Sequence, residues 1–202
     1  TIINAFEGKV SLNQDTYTLN EAFEITDDNS NMFPISIKDG KTFDGSNNTI
    51  TYKGNSKWGG LFEPVSGSSD SHTKFTIKNI NFELNKNIKT KCGAIVSYYY
   101  NSDSDQFEYC DITIENCHLS GSAKINGQYA GGIAGFAFGR YSNCNIQYCS
   151  NSLEISGYYA GGICGAYAGS HYGGILIIEY CWNEGNLTGY GAGGICGERV
   201  GY

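Results

Sequence analysis

Eight cysteines are the residues of this chain with the widest chemical repertoire, because thiols form disulfides, bind metal ions and act as nucleophiles. They stand at positions 92, 110, 117, 144, 149, 164, 181 and 196. No two of them have the CxxC spacing that is typical of zinc sites and redox motifs. Cys117 and His118 are neighbours on an expected strand, so their side chains point to opposite faces. The sequence therefore predicts no metal site and no cofactor.

The three histidines form no recognisable catalytic motif. His72, His118 and His171 are isolated from one another, and no nucleophile stands near any of them at a regular spacing. The zinc-protease motif HExxH is not present in the sequence. We therefore expect solvated histidines in loops.

The carboxylates do not indicate a polysaccharide-cleaving enzyme. Such an enzyme needs acids, or acids with Lys or Arg, that converge in one cleft. Asp103 and Asp105 are the closest acidic pair, and they are better explained as a solvated loop than as a weak calcium site. Arg140 and Arg199 are the only arginines, so a cleft for uronic acids is poorly supplied. We expect no enzymatic activity.

A repeat organises the sequence that carries these residues. The motif YAGGIAG (129–135) returns as YAGGICG (159–165) and as GAGGICG (191–197), so its copies follow one another at a nearly constant interval. Fainter copies are CGAIVS (92–97) and WGGLF (58–62). A fixed period of a few tens of residues is typical of solenoids and other repeat folds. Five units can be counted.

A second pattern lies between the glycine motifs and predicts strands. Apolar residues alternate over FTI (75–77), ITI (112–114), CNI (144–146) and LII (176–178), and the next apolar residue follows after a step of three. Alternation places the apolar side chains on one face of a strand, and the three-residue step marks a corner. Helices would instead need apolar stripes at a spacing of 3.6 residues.

Equivalent positions predict columns of stacked side chains inside a solenoid. Consecutive coils of a parallel β-helix pair at about 4.8 Å, so like residues lie above like. The predicted inward columns are Cys117, Cys149 and Cys181; Asn151 and Asn183; and Ile133, Ile163 and Ile195. We predict an all-β, single-domain right-handed parallel β-helix. It has an irregular N-terminal cap with the first coils in 1–57, and about five repeat coils in 58–202, each of roughly 30–38 residues.

Two features of these columns leave alternatives open. Cys164 and Cys196 should stack within the distance that a disulfide spans, so they can be bridged in an oxidising compartment or remain free thiols packed in the core. The asparagine amides can hydrogen-bond along the column, which assigns Asn151 and Asn183 to stability.

Tyrosines also recur at outer or corner positions. The pairs are Tyr129 with Tyr159, Tyr158 with Tyr190, and Tyr148 with Tyr180. They either cover the coil edges or form a strip that binds glycans or proteins. Asn47 and Asn186 begin sequences that match the N-glycosylation pattern, which has meaning only in a eukaryotic secretory pathway.

The unit IEYCWNEGNLTG (178–189) followed by AGGICG (192–197) resembles the GLUG repeat of bacterial and protist surface proteins. Those repeats are similar to the pectin-lyase-like β-helix superfamily, and the resemblance covers nearly the whole chain. It implies the β-helix fold and an extracellular, cell-surface or virion-surface location. It does not select an activity, because the superfamily includes lyases, hydrolases, adhesins and structural shafts.

Charge and hydropathy exclude two kinds of partner. The net charge is −7 with 13 Lys plus Arg spread along the chain, so no basic stripe exists for nucleic acid. No run of 18 apolar residues exists for membrane insertion. The first residues lack the features of a signal peptide, and the missing initiator Met indicates a processed or trimmed chain.

The last coil is predicted to have an open edge, because the chain stops just after a glycine motif. Natural solenoids cover such edges. We expect the next subunit, head to tail, or further repeats to cover it, and head-to-tail contacts build filaments. The leading hypothesis is therefore a non-catalytic structural protein that self-associates. The second is a glycan-binding or adhesive module, and the third is a polysaccharide lyase or hydrolase.

Overall fold

The computed structural model describes residues 1–37, 39–97, 109–169 and 174–201. This part of the chain contains one short helix, α1 (Ile2–Ala5), one 3-10 turn (Ser30–Met32) and many strands. The strands are β1 (Val10–Asn13), β2 (Thr16–Leu19), β3 (Phe23–Ile25), β4 (Ile35–Ser36), β5 (Lys41–Asp44), β6 (Thr49–Tyr52), β7 (Phe62–Glu63), β8 (Thr73–Leu84), β9 (Ile88–Lys89), β10 (Cys110–Gly121), β11 (Lys124–Asn126), β12 (Asn143–Gln147), β13 (Ser150–Asn151), β14 (Glu154–Ser156), β15 (Ile175–Glu179), β16 (Trp182–Asn183) and β17 (Leu187–Thr188).

The strands form three sheets. The largest runs in the order β1-β2-β5-β8-β10-β12-β15 and also includes β3, β6, β13 and β16. The second runs β9-β11-β14-β17, and the third pairs β4 with β7. Among the described strand pairs only β1 and β2 are antiparallel; the others are parallel. The prediction of an all-β chain is confirmed, and its sheets are parallel.

The strand register follows the sequence repeat. Cys144 pairs with Leu176, and Ile155 pairs with Leu187, so each residue meets its equivalent in the next repeat. The first glycines of the three full motifs, Gly131, Gly161 and Gly193, also pair in turn. Each repeat therefore hydrogen-bonds to the equivalent segment of the next. Because β6 pairs with β8, the segments 1–57 and 58–202 share one sheet.

Apolar side chains from all three sheets form one continuous core. Its N-terminal part is aromatic: the ring centroid of Phe6 lies 4.9 Å from that of Phe23, 5.4 Å from Phe33 and 5.3 Å from Phe43. Phe6 follows directly on α1, whose Ile2 and Ala5 are buried. The short helix and the antiparallel pair β1–β2 therefore cover the core at this end.

The predicted corners contain residues in the left-handed backbone region. Equivalent corner positions in four successive repeats hold Asn79, Asn116, Tyr148 and Tyr180, with φ between 51° and 58°. Asparagine adopts this conformation more readily than other non-glycine residues, whereas tyrosine seldom does. The corner explains the step of three between apolar residues, because one residue turns the chain while both neighbours still point inward.

Candidate functional site: the C-terminal edge and its outer face

The strands of the last repeat, β15, β16 and β17, pair with the preceding repeat on one side only. Their inward side chains are less covered than those before them. Cys144 and Ile146 are 3% and 0% exposed, whereas their register partners Leu176 and Ile178 are half-buried. The same loss of cover separates Ile163, fully buried, from Ile195, half-buried. Among the described residues, the core is therefore less covered in the last repeat than in the repeat before it.

The outer face of the last repeat is apolar where earlier repeats are polar. Asn143 pairs with Ile175, and Asn145 pairs with Ile177. Ser150 likewise pairs with Trp182. Ile175 is 58% exposed and Trp182 is 47% exposed. We call Ile175, Ile177, Tyr180 and Trp182 the outer apolar patch.

Exposed large apolar side chains concentrate at the two edges of the sheet. Among the described residues, none lies between Met32 and Tyr148. At the N-terminal end, Leu12 of the edge strand β1 is 45% exposed, and Ile3 of α1 is 38% exposed. At the C-terminal end, the edge strand β15 supplies Ile175 and Ile177. Both edge strands, β1 and β15, therefore carry exposed apolar residues.

The predicted pair Tyr148 and Tyr180 forms an exposed stack on the outer surface. Their ring centroids are 5.1 Å apart with an interplanar angle of 6°. This column continues an asparagine column on the N-terminal side. The Asn116 amide donates to Asn79 Oδ1 at 2.9 Å and to Asn47 Oδ1 at 3.2 Å. Sequence reasoning missed this ladder, although an Asn directly before the apolar residue that follows a corner is its signal.

The other predicted tyrosine pairs lie at another corner. Tyr129 and Tyr159 stack at 5.6 Å and 11°, and both are half-buried. Tyr159 also contacts Tyr190 edge to face at 5.9 Å. Tyr158 and Tyr190 are more exposed, but Tyr158 contacts Tyr159 rather than its repeat equivalent. The structure thus splits the six predicted tyrosines into two separate clusters.

The predicted column of Cys117, Cys149 and Cys181 lies along the core, one cysteine in each of three successive repeats. Cys117 and Cys149 are fully buried, and Cys181 is half-buried. The Cys117 backbone N–H donates to Cys149 Sγ at 3.4 Å. The Cys149 thiol donates to Gln147 O at 3.2 Å, and the Cys181 thiol donates to Glu179 O at 3.3 Å. Hydrogen bonding to the neighbouring Cys117 thiol, together with burial, raises the pKa of Cys149.

All eight cysteines are free thiols. Cys164 and Cys196 face each other as directly paired residues of neighbouring repeats. The sequence predicts either a disulfide or two free thiols for this pair. Cys164 is fully buried and Cys196 is half-buried. Burial raises the pKa of Cys164, while the hydrogen bond from Cys164 lowers the pKa of Cys196.

Asn151 and Asn183 are register partners and hydrogen-bond along their column. The Asn151 amide donates to Asn183 Oδ1 at 2.7 Å and to Leu153 O at 3.0 Å. Asn151 Oδ1 accepts the Leu153 N–H at 3.1 Å. The glycine motif makes room for these amides, since a Cβ at Gly162 would lie 2.5 Å from Asn183 Cγ.

Two histidines are partnered, contrary to the expectation of solvated, isolated side chains. His72 Nδ1 lies 2.8 Å from Asp111 Oδ1, beside an open cleft of about 390 Å³. His118 Nδ1 lies 2.9 Å from Ser150 Oγ, and its ring lies 5.8 Å from that of Trp182. Burial lowers the pKa of His118. Folding brings each histidine to a partner from the following repeat.

The remaining predicted sites divide between described and undescribed residues. Asn47 and Asn186, the two candidate glycosylation sites, are exposed. Asp103, Asp105 and His171 lie outside the described residues. Within the described ranges, no group of three or more His, Cys, Asp or Glu side chains is arranged to hold a metal ion. In the same ranges, no helix is long and apolar enough to span a membrane.

A scan against protein-family models, a search of curated proteins and a search of solved structures each found no match to this chain.

Proposed function

We propose that this chain is a right-handed parallel β-helix of GLUG-like repeats, and that it serves as a non-catalytic structural module that associates end to end. Parallel pairing of each repeat with the equivalent segment of the next supports the helical path of the chain. The right hand follows from the strong preference of parallel crossovers for that hand. An extracellular or surface location belongs to the same proposal and rests on the GLUG resemblance.

The distribution of exposed apolar side chains carries this proposal. Leu12 lies on one edge strand, and Ile175 and Ile177 lie on the other. Soluble proteins usually protect edge strands with charges, prolines or covering loops. Here each edge strand pairs on one side only among the described strands and exposes apolar side chains, which favours contact with another chain.

The occupant that we propose for the C-terminal edge is a second copy of this chain. In a head-to-tail stack, β15 of one copy lies beside β1 of the next. Because β1 runs antiparallel to β2, these two edge strands would pair antiparallel. The outer apolar patch would lie at the junction. Such contacts do not close on themselves, so they build filaments rather than rings.

Sedimentation velocity at increasing protein concentration, with electron microscopy of the same samples, tests this proposal. We expect sedimentation coefficients to rise with concentration and linear particles to form. Ile175→Lys places a charge on the open edge and should leave monomers. Asn143→Lys is the matched control, because Asn143 occupies the same column one repeat earlier and is exposed. A wild-type chain that remains monomeric at all concentrations overturns the proposal.

Glycan binding is the second candidate function, and the outer apolar patch favours it. Tyr180 is 69% exposed, and it stacks on Tyr148 beside the exposed Trp182. Exposed aromatic rings next to polar side chains provide a surface on which sugar rings can stack. The ring of His118 lies against Trp182, and its two nitrogens lie 2.9 Å from Ser150 Oγ and 3.0 Å from Asn116 Oδ1.

Retardation in gels that contain soluble plant, fungal or bacterial polysaccharides tests the second candidate. Tyr180→Ala should weaken binding about tenfold, which corresponds to about 1.4 kcal/mol. Tyr190→Ala is the control, since Tyr190 is equally exposed but belongs to the other tyrosine cluster. Equal retardation of both variants and the wild type would exclude this surface as the binding site.

For the third hypothesis, a polysaccharide lyase or hydrolase, the cleft beside His72 and Asp111 is the site that we test. Lys74 and Asp70 also line this cleft. An assay of the wild-type chain on the same polysaccharides, with His72→Ala as the control, separates cleavage from binding.

A further inference from the structure

Two pairs of thiols join the last two repeats of the described chain. One pair is Cys149 with Cys181, and the other is Cys164 with Cys196. In each pair the thiol of the earlier repeat is fully buried and the thiol of the last repeat is half-buried. Small solutes therefore have similar access to the two pairs of thiols.

Backbone hydrogen bonds hold Cys164 and Cys196 directly opposite each other. The Cys164 N–H donates to Ile195 O at 3.0 Å, and the Gly197 N–H donates to Cys164 O at 3.1 Å. Directly paired residues of parallel strands lie about 4.8 Å apart, which is within the Cα separation that a disulfide spans. A bond between the sulfurs therefore requires little movement of the backbone.

The other pair, Cys149 and Cys181, is held in the protonated thiol form. The Cys181 thiol donates to Glu179 O at 3.3 Å and to Ile146 O at 3.5 Å. Hydrogen bonding to Cys149, followed by burial, raises the pKa of Cys181. Cys196 differs, because it accepts a hydrogen bond from Cys164 and its pKa is lowered. The thiolate is the reactive form of cysteine, so Cys196 is the better nucleophile of the two half-buried thiols.

We propose that hydrogen peroxide converts Cys164 and Cys196 into a disulfide that fastens the last repeat to the one before it. The Cys196 sulfur attacks one peroxide oxygen, the O–O bond breaks, and the departing hydroxide takes up the thiol proton as water. The resulting sulfenic acid is then attacked by the Cys164 sulfur. The S–O bond breaks, and the hydroxide leaves with the Cys164 proton as a second water. Two thiols are oxidised by two electrons, and one peroxide is reduced to two waters.

The test is oxidation with one equivalent of hydrogen peroxide, followed by denaturation, alkylation of the remaining thiols and non-reducing peptide mapping. A protease that cleaves after glutamate separates the relevant cysteines, because Glu154, Glu179, Glu184 and Glu198 flank them. Cys164, Cys181 and Cys196 then lie in peptides 155–179, 180–184 and 185–198. We expect the first and third peptides to be linked with loss of two hydrogens, and the second to be alkylated. The protein should be dilute and monomeric, so the result does not depend on end-to-end assembly.

Two matched variants complete the test. Cys196→Ser should abolish the cross-link, and Cys181→Ser should leave it unchanged. A cross-link between Cys149 and Cys181 would overturn the proposal. So would conversion of Cys196 to its sulfinic acid without any link to Cys164. Both variants should show the far-ultraviolet circular dichroism of the wild type, which establishes that the comparison is between folded proteins.

Discussion

Gly162→Ala should strongly destabilise the fold, because the second glycine of the GG motif has no room for a side chain. A Cβ at this position would lie 2.5 Å from Asn183 Cγ, 2.7 Å from Asn183 Cβ and in hard contact with Gly194 O. Carbon atoms normally approach to about 3.5 Å, so the overlap is about 1 Å. Relief requires the last repeat to move away from Gly162. That movement would stretch the 3.1 Å hydrogen bond from Gly162 N–H to Gly193 O.

The expected loss follows from these two contributions. Overpacking in a tight interior costs about 2 kcal/mol, and the loss of one backbone hydrogen bond costs about 1 kcal/mol. The free energy of unfolding should therefore fall by about 3 kcal/mol. Gly194 is the equivalent glycine of the last repeat, and a Cβ there would meet nothing within 4 Å. Gly194→Ala should leave stability unchanged or raise it by about 0.5 kcal/mol, since alanine reduces the entropy of the unfolded chain.

Urea unfolding, followed by circular dichroism at low protein concentration, measures both values. Identical slopes with denaturant concentration would show that the variants unfold from the same native state. Equal unfolding midpoints for Gly162→Ala and Gly194→Ala would show that Gly162 is not required for steric reasons. Gly132→Ala extends the series, because its Cβ would meet Gly162 O and lie 3.1 Å from Asn151 Cγ.

Three further predictions concern stability. Asn151→Ala removes three hydrogen bonds of a fully buried residue and should lower the free energy of unfolding by about 3 kcal/mol. Asn183→Ala, in the less covered last repeat, should lower it by about 1 kcal/mol; equal losses in urea unfolding would contradict this. Phe6→Ala leaves a cavity among three aromatic rings and should cost about 4 kcal/mol, measured in the same way, with the exposed Ile3→Ala as a control that costs less than about 1 kcal/mol. Burial lowers the folded-state pKa of His118 below its unfolded value near 6.5, so the unfolded state binds more protons. The free energy of unfolding should therefore fall as the pH decreases from 7 through the folded-state pKa, and then level off. His118→Asn should lack this contribution, and an unchanged difference between wild type and variant from pH 8 to pH 5 would disprove it.

The repeat and its register could be predicted because they depend on spacing alone. Equivalent residues in a stack of parallel strands share their environment, so the apolar alternation around Ile146 returns around its register partner Ile178 in the next repeat. The glycine motif marks the same register through Gly131, Gly161 and Gly193. These signals are redundant along the chain, which is why the positions of most strands after residue 72 follow from the sequence.

The partner of His118 follows the repeat, because Ser150 is its register partner. The partner of His72 could not be predicted, since it depends on a register that the repeat does not share. Thr73 pairs with Cys110, a longer step along the chain than the one from Cys144 to Leu176. This longer step brings His72 beside Asp111, which a regular count would not place together. Tyr148 and Tyr180 were predicted as a recurring pair at outer or corner positions, but their positive φ was not, because tyrosine does not favour that conformation.

The second glycine of the motif changes together with one inward column between the repeat of Ala94 and the repeat of Gly132. One inward column reads Phe82, Leu119, Asn151 and Asn183 in successive repeats. The position that becomes the second glycine is Ala94 in the repeat before Gly132, and the Ala94 N–H donates to Gly132 O at 2.8 Å. A methyl group is present where the column holds leucine, and it disappears where the column holds asparagine.

The reason is that the amide of a buried asparagine needs hydrogen-bond partners for both its nitrogen and its oxygen, whereas the side chain of leucine needs none. Asn151 must reach Asn183 in the next repeat while its other groups bond to Leu153, so its Cγ is held close to the backbone of Gly132. A leucine at the same place has no such requirement and can turn away from a methyl group. In these two repeats the buried asparagine and the second glycine therefore depend on each other, whereas Gly59 and Gly60 form a glycine pair in a repeat whose column holds Phe82. A related sequence that keeps an asparagine at the position of Asn151 should therefore keep glycine at the position of Gly132.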